Sequence, residues 1–400
     1  MKRGLKGEAA IVGVAEWRPT RDPTALSLFS IEQWAQLARE ALNDAGLAAE
    51  QVNGLVTSKL AEVSIFAPAT ISEYLGLPVN FAEYVDLGGA SAGAMVWRAA
   101  AAIELGLCDV VVCALPASPG PPSLRPVPQD TTHYGSFAGA YGSPQAEFDI
   151  PHGNVFQNVS YAMIAQRYAA MHGYDPRAMA KIAVDQRISA CANPAAFFHG
   201  KPITIDDVLA SPMIADPLHM LEIVMSMYGG AAVVVASADV ARTCRHRPVW
   251  IRGFGEHLAF KTPTYAEDML RTPMAVAASS ALQMAQVAHA DIDMVSIYDC
   301  YTITVVTSLE DAGFCGRGQG MAFVRDHDLS FRGEFPCNPH GGQLSFGQAG
   351  IAGGMSHVCD ATRQIQARAG ANQVKDCHRA FVTGNGGVMG EQVALVLQGD

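Results

Sequence analysis

The stretch Cys337-Asn338-Pro339-His340-Gly341-Gly342-Gln343-Leu344-Ser345-Phe346-Gly347-Gln348-Ala349-Gly350-Ile351-Ala352-Gly353-Gly354 holds six glycines in eighteen residues. Such density lets the backbone enter the left-handed region and lets a ligand approach the main chain. Asn338-Pro339 begins a turn. A helix is expected from near Ile351, because Met355, Val358 and Cys359 then share one face. A helix N-terminus behind a glycine loop suits an anionic or oxyanionic ligand. The same glycines also suit a plain turn-rich connection.

Half of the 400 residues are apolar and 16% are charged, so a large core can be buried. The net charge of -11, without a basic run or basic helix face, argues against nucleic-acid binding. Met1-Lys2-Arg3 leads into polar Gly4–Glu8 with no apolar signal core. The apolar runs are strand-sized, short of the roughly 20 residues of a membrane span. These features predict a soluble cytoplasmic protein with no membrane segment. Nine cysteines, an odd number without C-x-x-C, predict neither a disulfide framework nor a metal site.

The alternation of elements predicts an α/β chain. Strands are expected at 9–14, 52–56, 81–85, 109–115, 231–236, 249–255, 294–298, 380–383 and 393–397. Helices are expected at 30–45, 92–105, 155–171, 177–192, 269–288, 302–312 and from 351 to about 369. Ser30 with Gln33 fits a capping box, and Gly46 ends that helix. The helix at 92–105 is apolar nearly all round, as a buried helix is. The Pro-rich run 116–128 and the Gly-, Ser- and aromatic-rich run 131–151 open a segment, about 116–228, that reads as an insertion covering a site. The first half is expected to close near 245, giving halves 1–245 and 246–400. Both repeat strand, helix, strand, glycine-rich turn, buried helix, strand, which predicts a duplicated unit.

The pattern N-P-x-G-G-x-L-S-x-G-x-x-G-x-x-G resembles the thiolase superfamily, above all its sterol-carrier-protein-like and lipid-transfer branch, over essentially the whole chain. That resemblance implies a duplicated, layered α-β-α-β-α fold with an inserted loop domain. It also implies that four chemical groups have been exchanged. Thiolases place a nucleophilic Cys in G-x-C-A-S-G, where Gly88-Gly89-Ala90-Ser91-Ala92-Gly93 has Ala90. Their Gly-His-Pro reads Gly347-Gln348-Ala349 here, with Gln348 in the His place. Their C-x-G-G-G loop is Thr383-Gly384-Asn385-Gly386-Gly387, with Thr383 for the Cys. Their N-E-A-F, or H-D-C-F in the branch, is Tyr298-Asp299-Cys300-Tyr301, with Tyr298 for the Asn or His.

Alanine forms no acyl-enzyme, and glutamine takes no proton at neutral pH. Ser91 stands near the nucleophile position but has no evident base, and it suits helix capping. The glycine scaffold nevertheless remains, and its backbone can donate to an oxyanion. Retro-aldol cleavage of a β-hydroxyacyl-CoA fits a site without the Cys. It needs a base for the hydroxyl proton and donors for the enolate oxygen. Bacterial aldolases that shorten steroid side chains resemble this chain in lacking the Cys. They imply a steroid acyl-CoA substrate and a small zinc-ribbon, OB-fold partner.

A tyrosine whose pKa drops from near 10 suits the acid/base role. Tyr298 is the first candidate by position. Tyr265, after the strand end Gly255-Glu256-His257, is the second, and His340 is the third. The resemblance places Ala90, Ser91, Gln348, Thr383, Asn385, Gly386 and Gly387 around the substrate. It implies no cofactor beyond the substrate's own CoA, and a homodimer paired through the strand at 81–85. Thiolase-type acyl transfer from a displaced thiol, Cys300 or Cys337, and a non-catalytic lipid- or acyl-CoA-binding subunit are the competing readings.

Overall fold

The computed structural model describes residues 4–63, 65–118, 144–154 and 157–400. Most of the Pro- and Gly-rich runs opening the expected insertion, and the start of the helix expected from 155, lie outside these residues.

In chain order the elements are β1 (Ala9–Thr20), α1 (Ser30–Ala45), β2 (Gly54–Thr57), α2 (Ala67–Leu75), β3 (Phe81–Tyr84), α3 (Ser91–Glu104) and β4 (Val110–Pro116). Then come α4 (Gln157–His172), α5 (Pro176–Ala192), α6 (Ile205–Ala210), β5 (Met213–Ala215), β6 (Leu218–His219), β7 (Ser226–Ser237) and α7 (Ala238–Ala241). The rest are β8 (Val249–Leu258), α8 (Met274–Ala285), β9 (Met294–Ser296), α9 (Thr302–Asp311), α10 (Gly320–Asp326), β10 (Gln348–Ala349), α11 (Gly353–Ile365), β11 (Arg379–Gly386) and β12 (Glu391–Gln398).

The sheet order is β3-β2-β4-β7-β1-β8-β12-β11-β9. Outward from the centre, β1, β7, β4 and β2 are joined antiparallel, antiparallel, parallel. The strands β8, β12, β11 and β9 repeat that series on the other side. This is the duplication expected from the order of elements.

The alternation along the strands builds the layers. Ile11, Val111 and Val233 of one half, with Val382, Val393 and Leu395 of the other, enclose the apolar faces of α3 and α11. The intervening Val12, Val112 and Val234 face α1, and Ala394 and Val396 face α8. Side chains of period two thus bury both faces of these strands, and the layers run α-β-α-β-α. No helix among the described residues is long and apolar enough to cross a membrane.

Helix α1 spans the expected residues and ends at Gly46 with φ 78°. Its capping box is not the expected one. The Ser30 hydroxyl pairs with Glu62, and Gln33 donates to the carbonyls of Leu28 and Ser118. Glu32 caps the Phe29 N–H instead, at 2.8 Å. Strands β1, β7 and β8 outrun their expected ends because cross-strand pairing continues past the apolar runs. Helix α11 stops at Ile365, short of 369, before Ala367 turns to φ 57°.

Candidate functional site

Two helix N-termini meet at the site. A 3₁₀ turn, Gly88–Ala90, feeds α3, and another, Gly350–Ala352, feeds α11. A Cβ on Gly354 would lie 2.4 Å from the Gly89 carbonyl oxygen, so only glycine lets the helices approach this closely. A Cβ on Gly89 would lie 2.2 Å from the Tyr298 hydroxyl. That hydroxyl therefore stands directly over the start of α3.

Ala90 is fully buried there. The Ser91 hydroxyl, also buried, accepts the Leu87 N–H at 2.8 Å and so closes the turn. It is not the helix cap expected from the sequence: Ser91 is the first residue of α3, after Ala90, and its hydroxyl reaches back to Leu87 rather than to the helix's own first N–H groups.

Tyr298 follows β9 and is held from three sides. Its N–H donates to Thr383 Oγ1 at 2.9 Å. Its carbonyl accepts from the Thr304 hydroxyl at 3.0 Å. Its hydroxyl accepts from Gln348 Nε2 at 3.3 Å. Gln348 is placed by β10, which pairs parallel with the start of β7 at Ser226. Gln348 Oε1 is buried and has no hydrogen-bond partner among the described residues.

Behind Tyr298 the glycine-rich loop is anchored to Asp299, whose carboxylate accepts the Gln343 N–H at 2.8 Å and the Leu344 N–H at 3.1 Å. His357 lies 3.3 Å from Asp299 and 2.8 Å from Ser296 Oγ. Burial pushes the His357 imidazole below its ordinary pKa against the pull of Asp299. Burial acts the same way on His340, but Asp360, 3.2 Å away, overrides it and holds that imidazole above the ordinary value.

The opposite wall comes from α4. Gln157 and Tyr161 lie one turn apart and both line the cavity, which has a volume of about 140 Å³. The Tyr161 ring stacks on Tyr301 at 4.0 Å, and its hydroxyl accepts from Asn385 Nδ2 at 3.0 Å. Asn385 Oδ1 in turn takes the Met389 N–H at 3.1 Å and Gln392 Nε2 at 3.0 Å. Cys300 lines the same cavity, and burial pushes its thiol up to about 12.

Of the residues singled out from the sequence, Tyr298, Gln348, Asn385 and Gly387 line the cavity. Ala90, Ser91, Thr383 and Gly386 are buried and do not line it; Thr383 Oγ1 takes the Tyr298 N–H, and Gly386 lies against Gly88. Tyr265 is elsewhere: it is 44% exposed and its hydroxyl donates to the Pro144 carbonyl at 2.9 Å. His340 is buried beside Asp360 and does not line the cavity. Cys337 is buried outside the cavity, and burial raises its thiol pKa too. The sequence reading missed Gln157 and Tyr161. Their i, i+4 spacing on a helix of the site-covering segment was the available signal.

Residues 255–399 match the family described as "Thiolase C-terminal domain-like". The chain is 32% identical to the 17-hydroxy-3-oxo-4-pregnene-20-carboxyl-CoA lyase of Mycobacterium tuberculosis, over 96% of this chain and 98% of that one. It is 32% identical to the steroid side-chain-cleaving aldolase of Thermomonospora curvata, over 96% of each. The solved Ltp2-ChsH2(DUF35) aldolase superposes with a TM-score of 0.86 at 29% identity, covering 99% of both chains. With its repeated sheet, its paired central helices and relatives that match end to end, the chain belongs to the thiolase superfamily, in its sterol-carrier-protein-like branch.

Proposed function

We propose that this protein cleaves a β-hydroxyacyl-CoA, a steroid side-chain thioester, by a retro-aldol reaction that passes through no acyl-enzyme. The observation that carries the reading is the Tyr298 hydroxyl seated over the start of α3, beside an alanine where a nucleophilic thiol would have to stand. Tyr298, as its phenolate, takes the β-hydroxyl proton. The Cα–Cβ bond breaks as the ketone C=O forms, and its electron pair becomes the enolate of the departing thioester. Tyr298 then returns the proton to Cα. Atoms balance: one β-hydroxyacyl-CoA gives one ketone and one shorter acyl-CoA.

Gln348 supports both ends of the first step. Its N–H group bonds the Tyr298 oxygen, and its Oε1, without a partner among the described residues, is an acceptor for the substrate hydroxyl. Acyl transfer through Cys300 is disfavoured, because a thiol with a pKa of about 12 supplies little thiolate at neutral pH.

Two features of assembly belong to the same proposal. The aldolase relative solved as Ltp2-ChsH2(DUF35) covers 99% of this chain, which supports a small zinc-ribbon, OB-fold partner here as well. Strand β3 ends the sheet, and such an edge invites pairing with a second copy, which supports a homodimer.

The test is to give the purified protein, alone and with that partner, a 17-hydroxy steroid side-chain CoA ester. Release of a steroid ketone and a short acyl-CoA is expected. Release under neither condition would favour a non-catalytic, acyl-CoA-binding role.

A further inference from the structure

Retro-aldol cleavage needs two separate groups: one that takes the hydroxyl proton and one that steadies the enolate oxygen. Tyr298 serves as the first in the proposed retro-aldol reaction. The cavity holds a second phenol on its far wall, and every neighbour of that phenol fixes what it can do.

Tyr161 is only 1% exposed, and its ring is clamped against Tyr301 at 4.0 Å. Its position is thus set by packing rather than by a mobile side chain. Asn385 Oδ1 already receives two donors, the Met389 N–H and Gln392 Nε2. That leaves Asn385 Nδ2 to face Tyr161, and the phenol oxygen must accept from it. A hydroxyl whose oxygen accepts is left to direct its own proton elsewhere. The Cys300 thiol, on the same cavity wall and itself 3.7 Å from Asn385 Nδ2, offers that proton at most a weak acceptor, which a charged oxygen would displace.

We infer that Tyr161 is a second catalytic residue, the hydrogen-bond donor to the thioester oxygen on which the enolate charge develops, aimed by Asn385. Burial and the neighbouring Cys300 hold its pKa well above that of a free tyrosine, so it keeps its proton and stays a donor. The two tyrosines then divide the work. Each accepts from one side-chain amide, Gln348 for Tyr298 and Asn385 for Tyr161. Tyr298 exchanges a proton with the substrate, and Tyr161 never gives its own away. Helix α4 therefore supplies a reacting-site group as well as a wall.

The inference rests on the retro-aldol reading, and one set of kinetics separates the two. Tyr161→Phe should lower kcat by about 10²–10³-fold, the usual loss for one oxyanion donor, with KM changed less than about threefold. The pH profile of kcat should keep its wild-type shape, because the acid–base group is untouched. Tyr298→Phe should alter that shape.

Asn385→Asp is the second variant, and it guards against a Tyr161→Phe that fails to fold. Its Oδ1 can still accept from Met389 and Gln392, but its other oxygen takes the Tyr161 proton away from the substrate, so kcat should fall at least about tenfold. If Tyr161→Phe keeps more than about a tenth of the wild-type kcat, or if its pH profile changes as that of Tyr298→Phe does, the inference is overturned and the aldolase reading stands. If Tyr161→Phe does not fold, a wild-type rate in Asn385→Asp overturns it. If the wild-type protein cleaves no β-hydroxyacyl-CoA, the parent reading fails first.

Discussion

The Tyr298 hydroxyl fills the space over Gly89 and takes a bond from Gln348 at 3.3 Å, while its ring packs in a buried wall. Removing only the oxygen leaves that packing. Tyr298→Phe should therefore lose about 10²–10⁴-fold in cleavage rate, with stability changed by no more than about 1–2 kcal/mol. Steady-state kinetics and a thermal melt measure both. Tyr265→Phe is the control: its hydroxyl bonds the Pro144 carbonyl away from the cavity, so the rate should stay near wild type. A thiol put back at position 90 would gain no base. Gln348 takes no proton, and the Thr383 hydroxyl is engaged by the Tyr298 N–H. Ala90→Cys should accordingly show no thiolysis of a 3-ketoacyl-CoA approaching that of ordinary thiolases, and a rate in that range would count against the geometry described.

At the scale of elements, the glycine-rich loop depends on one carboxylate. Asp299 is fully buried and accepts two N–H groups of that loop. Asp299→Ala would strand both, and a buried donor without a partner costs about 1–3 kcal/mol. A fall of about 2–6 kcal/mol in unfolding free energy is expected from denaturant melts, with activity lost as the loop moves Gln348. Gly89→Ala should disable the site through the opposite fault, because the new methyl would meet the Tyr298 hydroxyl at 2.2 Å and the Asn385 carbonyl oxygen at 2.5 Å; activity should vanish. These elements were legible beforehand to different degrees. The loop at 337–354 announced itself by its glycines, and Tyr298 and Thr383 by standing in recognisable motifs. The strands were legible as apolar runs, though not their true ends, which pairing decides. Tyr161 carried no motif. It reaches the site only because its ring stacks on Tyr301 and its hydroxyl meets Asn385, contacts with residues 140 and 224 positions away. Tyr265 and His340 looked eligible by local context, but an exposed turn claims one and a buried aspartate the other.

For the whole molecule, the duplicated sheet puts α3 and α11 at the centre with their N-termini together, and the chemistry is carried by what stands on them. The β3 edge, with Tyr84 46% exposed, is expected to pair with a second copy. Light scattering at micromolar concentration should return the mass of a dimer, twice 42.3 kDa, and a monomer mass would contradict pairing through β3. The layered scaffold is that of thiolases, yet the proposed carbon–carbon cleavage proceeds without a covalent intermediate. A rapid-quench single turnover tests this most directly, with the CoA ester mixed with excess enzyme and both product and intact-protein mass followed. The ketone and the short acyl-CoA should appear in equal amounts while the protein mass stays unchanged throughout. An acyl adduct that forms and decays at the rate of turnover, on Cys300 or any other residue, would contradict it.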